Sequence, residues 1–70
     1  MQFAEWLNQQ MRQRGMSSRQ LARETGTSLA TISNWRCGRN KPVPGTCKRL
    51  AILFGADVEE LIRLAAWADE

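Results

Sequence analysis

A chain of 70 residues is expected to form a single domain over residues 1–70, near the lower limit for a core that folds unaided and too small for an enzyme's deep cleft. An apolar content of 43% argues against disorder, and no apolar run approaches the roughly 18 residues of a membrane span. The net charge of +3 hides an asymmetry: residues 1–56 hold nine Lys/Arg against Glu5 and Glu24, a balance suited to a polyanion, whereas residues 57–70 hold Arg63 against five acids.

In chain order, a first helix is expected over residues 2–14, where Phe3, Leu7 and Met11 recur at i, i+4 and i+8, Trp6 widens the stripe and Gly15 ends it. Its start, MQFAEWLNQQ, lacks the basic-then-apolar layout of a signal peptide, so a cytoplasmic protein is expected. Ser17 caps a second helix, with Gln20 placed to complete a capping box, and the helix runs through Leu21 and Ala22 to Thr25. Gly26 tolerates the positive φ of a sharp turn, and Ser28 caps a third helix at Leu29–Arg36, with Ile32 and Trp35 three apart on one face before Gly38.

Residues 38–45, GRNKPVPG, hold two glycines and two prolines and read as a loop. Pro44 suits the first turn of a fourth helix presenting Cys47, Leu50, Ala51, Leu53 and Phe54 up to Gly55. Asp57 caps a fifth helix, placed at 57–68, with Glu60 in the answering position. Strand alternation is absent throughout, so the expected class is all-α with five short helices.

Cys37 and Cys47 read as two reduced thiols, one at a helix end and one on a packed face. With no histidine in the chain, no metal site and no cofactor are expected. Neither thiol has a base beside it, and carboxylates cluster only at the start of the fifth helix. An enzyme is not expected.

The informative stretch is SRQLARETGTSLATISNWRC, residues 18–37. Two short helices joined by a glycine turn cross steeply and need a small residue where they meet, which Ala22 supplies. Leu21, Ile32 and Trp35 are spaced to seal the pair onto a shared core. One face of the third helix is left outside, and an α-helix fits the width of the B-DNA major groove. A helix-turn-helix that places Ser28–Asn34 in that groove is therefore expected, with double-stranded DNA as partner. Ser28 opens a helix whose free amides and dipole favour a phosphate, beyond its part as cap.

At these residues the chain resembles the Cro and phage-repressor (XRE) family of helix-turn-helix proteins. The resemblance covers about residues 3–62 and rests on Leu21–Ala22, Gly26, Ser28, the Ile32-Ser33-x-Trp35 run, Gly38, the basic loop Arg39–Pro44 and the tail LAILFGADVEELI. It implies a five-helix, lambda-repressor-like DNA-binding domain. It also implies that Leu29, Ala30 and Asn34 face base edges, with Ser33 a fourth reader. Asn34 is suited to a bidentate pair with adenine, and Leu29 and Ala30 to thymine methyl groups. The alternatives are a core position for Leu29 and a merely solvated amide for Asn34. Arg39, Asn40 and Lys41 resemble the family's phosphate clamp, against a generic solvated loop as alternative, and Ser18 stands where the family often sets glutamine against a phosphate.

Three positions depart from the family pattern. Serine 18 is too short to brace a base-reading side chain. Thr25 replaces an aliphatic residue. Arg36 replaces a common glutamate whose partner position on the first helix is here Met11, which leaves Arg36 to DNA or to a pairing elsewhere, such as Glu5 or Glu24.

The fifth helix has more apolar positions than one buried stripe needs. Leu61, Leu64, Ala65 and Trp67 are candidates for a homodimer interface, which would set two recognition helices on a pseudo-palindromic operator. The alternative is that these side chains finish the domain's own core. The leading function is a sequence-specific transcriptional regulator, a repressor acting by occupancy. Its competitor is an antitoxin or adaptor that uses the same fold to hold a toxin or another protein.

Overall fold

In the computed structural model, which describes residues 2–65, five helices follow in order: α1 (Phe3–Arg14), α2 (Ser18–Thr25), α3 (Leu29–Cys37), α4 (Pro44–Phe54) and α5 (Val58–Leu64). No strand occurs among the described residues. The expected boundaries hold to within a residue at the starts of all five helices, and α3 extends one residue further, to Cys37. Gln2 is the cap of α1 rather than its first residue, with its backbone N–H donating to Glu5 Oε1 at 3.0 Å. Residues 66–70, and with them Trp67 and the expected helix end at 68, lie outside the described residues.

Side-chain oxygens start three of these helices. Ser17 Oγ accepts from the Gln20 amide, Ser28 Oγ from the Thr31 amide and Asp57 Oδ1 from the Glu59 amide. Each satisfies one of the amides that a helix N-terminus leaves without an intrahelical carbonyl. At α4 the fixed φ of Pro44 serves instead, with Val43 as the capping residue. Between α2 and α3, Gly26 adopts φ +67°, a left-handed conformation that costs other residues a Cβ clash, and the chain turns there within three residues.

The core forms where these helices meet. Phe3, Leu7, Met11 and Trp6 of α1 are buried with Leu21 of α2, Ile32 and Trp35 of α3, Cys47, Leu50, Ala51 and Phe54 of α4, and Leu61 and Ala65 from the α5 region. Aromatic edges join the layers: Trp35 meets Phe3 edge-to-face at 6.3 Å, and Phe54 meets Trp6 edge-to-face at 5.6 Å. Thus α1 braces α3 on one side and α4 on the other, so α3 sits at fixed height over the core.

Two arginines close helix ends. Arg14 donates to the Phe54 carbonyl at 2.6 Å and lies 5.2 Å from the Phe54 ring centroid. Arg49 donates to the Thr25 carbonyl at 3.1 Å. Both satisfy carbonyls that a helix C-terminus leaves open, where cations are also favoured by the dipole. Thr25, the departure from an aliphatic pattern, is buried, and its hydroxyl returns to the Leu21 carbonyl at 2.8 Å.

This packing corrects the reading of the fifth helix. Leu61 and Ala65 are buried in the chain's own core, and Leu64 packs partly against it. The apolar surplus goes largely to finishing a small core. Ile62 remains exposed on α5, and Ile52, on α4, is the most exposed large apolar side chain described.

Candidate nucleic-acid interface

Two faces of α3 divide sharply. Ile32 and Trp35 are buried, which fixes the helix by its inner face. Leu29 is 48% exposed, so it is not the core residue that its place after the cap also allowed. Ala30 and Ser33 are exposed beside it, and Asn34 is half-buried one turn on. The four sequence-predicted readers therefore share the outward side of one helix. No hydrogen-bond partner for the Asn34 side-chain amide exists among the described residues, so its donor and acceptor are available to a base edge.

The groups expected to hold phosphates flank that face. Ser28 Oγ accepts from the Thr31 amide at 3.1 Å and shares a hydrogen bond with Thr31 Oγ1 at 2.9 Å, in which either hydroxyl can donate. The backbone amides at the start of α3 are what this end offers an anion. After α3, the chain leaves through Gly38 at φ +82°, and the Arg39 and Asn40 amides both donate to the Asn34 carbonyl, at 2.9 and 3.4 Å. The loop is thereby tied to the backbone of Asn34. Arg39 and Asn40 are exposed and Lys41 is half-buried. At its far end Pro42 is buried, and the Cys47 thiol donates to its carbonyl at 3.7 Å. Burial pushes the Cys47 thiol above its ordinary value, so it stays a neutral donor. An open groove separates the start of α3 from this loop, with Thr27, Thr31, Asn40, Lys41, Val43 and Thr46 on its walls.

Arg36 pairs within the chain, the second of its two sequence alternatives, but with partners other than the carboxylates named for it. Its Nε donates to Asn8 Oδ1 at 2.6 Å, its Nη1 donates to Ser18 Oγ at 2.7 Å, and the Asn8 Nδ2 donates to the Arg36 carbonyl at 3.2 Å. Neither Glu5 nor Glu24 is involved. A single side chain thus joins α1, the first residue of α2, and the end of α3. The pairing was hidden because the family pattern directs attention to position 11, whereas Asn8 lies one turn earlier on α1. Thr31 was also missed, since a threonine one turn inside a helix carries no signal of a role at the cap. In the basic run from Trp35 to Arg49, Arg36 and Arg49 are committed to protein groups, so the polyanion-facing charge is narrower than composition indicates.

With this geometry in place, a helix-turn-helix family model matches residues 7–61 of the chain. The chain belongs to the XRE-type helix-turn-helix family. Its architecture is accordingly lambda-repressor-like, and the family is a DNA-binding one. The crystal structure of a transcriptional regulator from Listeria innocua is similar to 99% of the chain, with a TM-score of 0.80 at 28% sequence identity. The chain covers 62% of that protein, less than two thirds of its length. No curated protein sequence matches the chain. In this helix-turn-helix chain, α2 and α3 are the paired helices, and none of the described helices is long and apolar enough to cross a membrane.

Proposed function

We propose that the chain is a sequence-specific transcriptional regulator of double-stranded DNA, a repressor that acts by occupying its site. The observation that carries this reading is the outer face of α3: an exposed leucine and an unpartnered asparagine amide on a helix whose inner face is locked by Ile32 and Trp35. An exposed leucine is costly in water and useful against a thymine methyl, and Asn34 supplies the donor–acceptor pair that adenine requires in the major groove. Leu29, Ala30, Ser33 and Asn34 read bases. Ser18, the α3 amides at Ser28, and Arg39, Asn40 and Lys41 hold phosphates and set the register. The antitoxin or adaptor reading loses ground, because Leu61 and Ala65, two of the side chains expected to form its surface, are core residues.

Selection of duplexes from a random pool at about 150 mM salt tests this. Enrichment of one motif with thymine and adenine at adjacent positions is expected, whereas a pool that stays random after repeated rounds would contradict the reading. The same selection reports stoichiometry. Two half-sites centred about 34 Å apart would place a homodimer on a pseudo-palindromic operator, and a lone half-site would place a monomer there.

A further inference from the structure

We propose that Arg36 is a positioning residue for DNA binding, which acts by fixing the direction in which the Ser18 hydroxyl donates; this rests on the reading of Ser18 as a phosphate ligand. The geometry is specific. Asn8 grips Arg36 twice, at Nε with its Oδ1 and at the backbone carbonyl with its Nδ2. That double grip points the guanidinium across to α2, where Nη1 donates to Ser18 Oγ at 2.7 Å.

A hydroxyl has one proton and two lone pairs. With a cation's N–H occupying one lone pair, the Ser18 proton must point away from Arg36. Among the described residues no acceptor receives it. Ser18 is the first residue of α2 and half-buried, at a helix end whose first amides lack intrahelical carbonyls. An oxygen that accepts from a cation is also a stronger donor, because the two hydrogen bonds polarise one another. The Asn8–Arg36–Ser18 chain therefore converts a freely rotating serine into an oriented donor for a phosphate oxygen. A longer side chain at this position would reach a phosphate unaided; serine is short, and the arginine supplies the orientation.

Two other roles for Arg36 make different predictions. As a direct phosphate ligand it would neutralise a charge, and its removal would lower the salt slope of binding by roughly 0.9. As a plain structural tie it would lower stability without regard to which residue stands at 18.

The test is a double-mutant cycle on the selected duplex. Affinity and its salt dependence are measured for the unmodified chain, Ser18→Ala, Arg36→Met and their double variant, and for Asn8→Ala, which frees Arg36 while keeping its charge, alone and combined with Ser18→Ala. Ser18→Ala is expected to weaken binding about tenfold or more, the scale of one hydrogen bond to a charged group. Arg36→Met and Asn8→Ala should each weaken binding by a similar or smaller factor when Ser18 is present and by nearly nothing when residue 18 is alanine, with the salt slope unchanged. Effects of Arg36→Met and Ser18→Ala that multiply independently would overturn the proposal, as would a slope reduced by about one. Should Arg36→Met fail to fold, the Asn8→Ala arm decides alone: an undiminished loss in the Ser18→Ala background refutes the proposal. If the unmodified chain binds no duplex, the DNA reading itself fails and this inference falls with it, a result distinct from additive variants on a bound duplex.

Discussion

At the scale of single residues, the proposed function separates side chains that read from side chains that anchor. Asn34→Ala should relax preference at one base position by about 1–3 kcal/mol while leaving other positions intact, seen as a loss of information at that column when selection is repeated. Arg39→Ala should instead weaken all duplexes alike and lower the salt slope by about 0.9. A change of base preference in the Arg39 variant would mean the loop reads sequence. Cys47 gives a third residue-scale expectation. Below the thiol's ordinary pKa of 9.0 the folded and unfolded chains both hold its proton, so its contribution is fully present. Above 9.0 the unfolded chain releases the proton that the buried thiol retains, and stability falls as the pH rises. Denaturant titrations from pH 8 to 10.5 should show that slope in the unmodified chain and a shallower one in Cys47→Ala.

At the scale of elements, two glycines should respond in opposite senses to the same change. Gly26 ends α2 at φ +67°, so Gly26→Ala should destabilise the fold by about 1–2 kcal/mol. Gly45 lies inside α4 without positive φ and with open space where a Cβ would stand, so Gly45→Ala should stabilise it by about 0.5–1 kcal/mol. Thermal melts of the two variants check both signs. The helices were legible in the sequence because each boundary carries a local cause: Ser17, Ser28 and Asp57 as caps, Pro44 at a first turn, Gly26 and Gly38 at exits. Which apolar side chains on α5 face inward was not legible. Seven helical residues present apolar groups on several sides, and only the packing of α5 against α4 and the shared core decides that Leu61 and Ala65 are covered while Ile62 is not. The Arg36 contacts were hidden for the same reason, since Asn8 and Ser18 lie 28 and 18 residues away along the chain.

At the scale of the whole molecule, the five helices hold one outward face of α3 between the α2 start and the loop after α3, the two regions proposed to anchor phosphates. The core supplies rigidity through the aromatic edges of Trp35 and Phe54 on α1, and three arginines that composition would assign to a polyanion are used to join helices. The charge left for DNA is therefore modest, and so is the number of base donors. On the proposed function, discrimination comes from Asn34, from apolar contacts at Leu29 and Ala30, and from the shape of the duplex. The most direct test of the central claim compares affinity for the selected duplex with affinity for random duplex at about 150 mM salt. A ratio of roughly 10³ or more is predicted. Equal affinity for both would contradict a sequence-reading role for α3 and leave only the attraction between a basic surface and a polyanion.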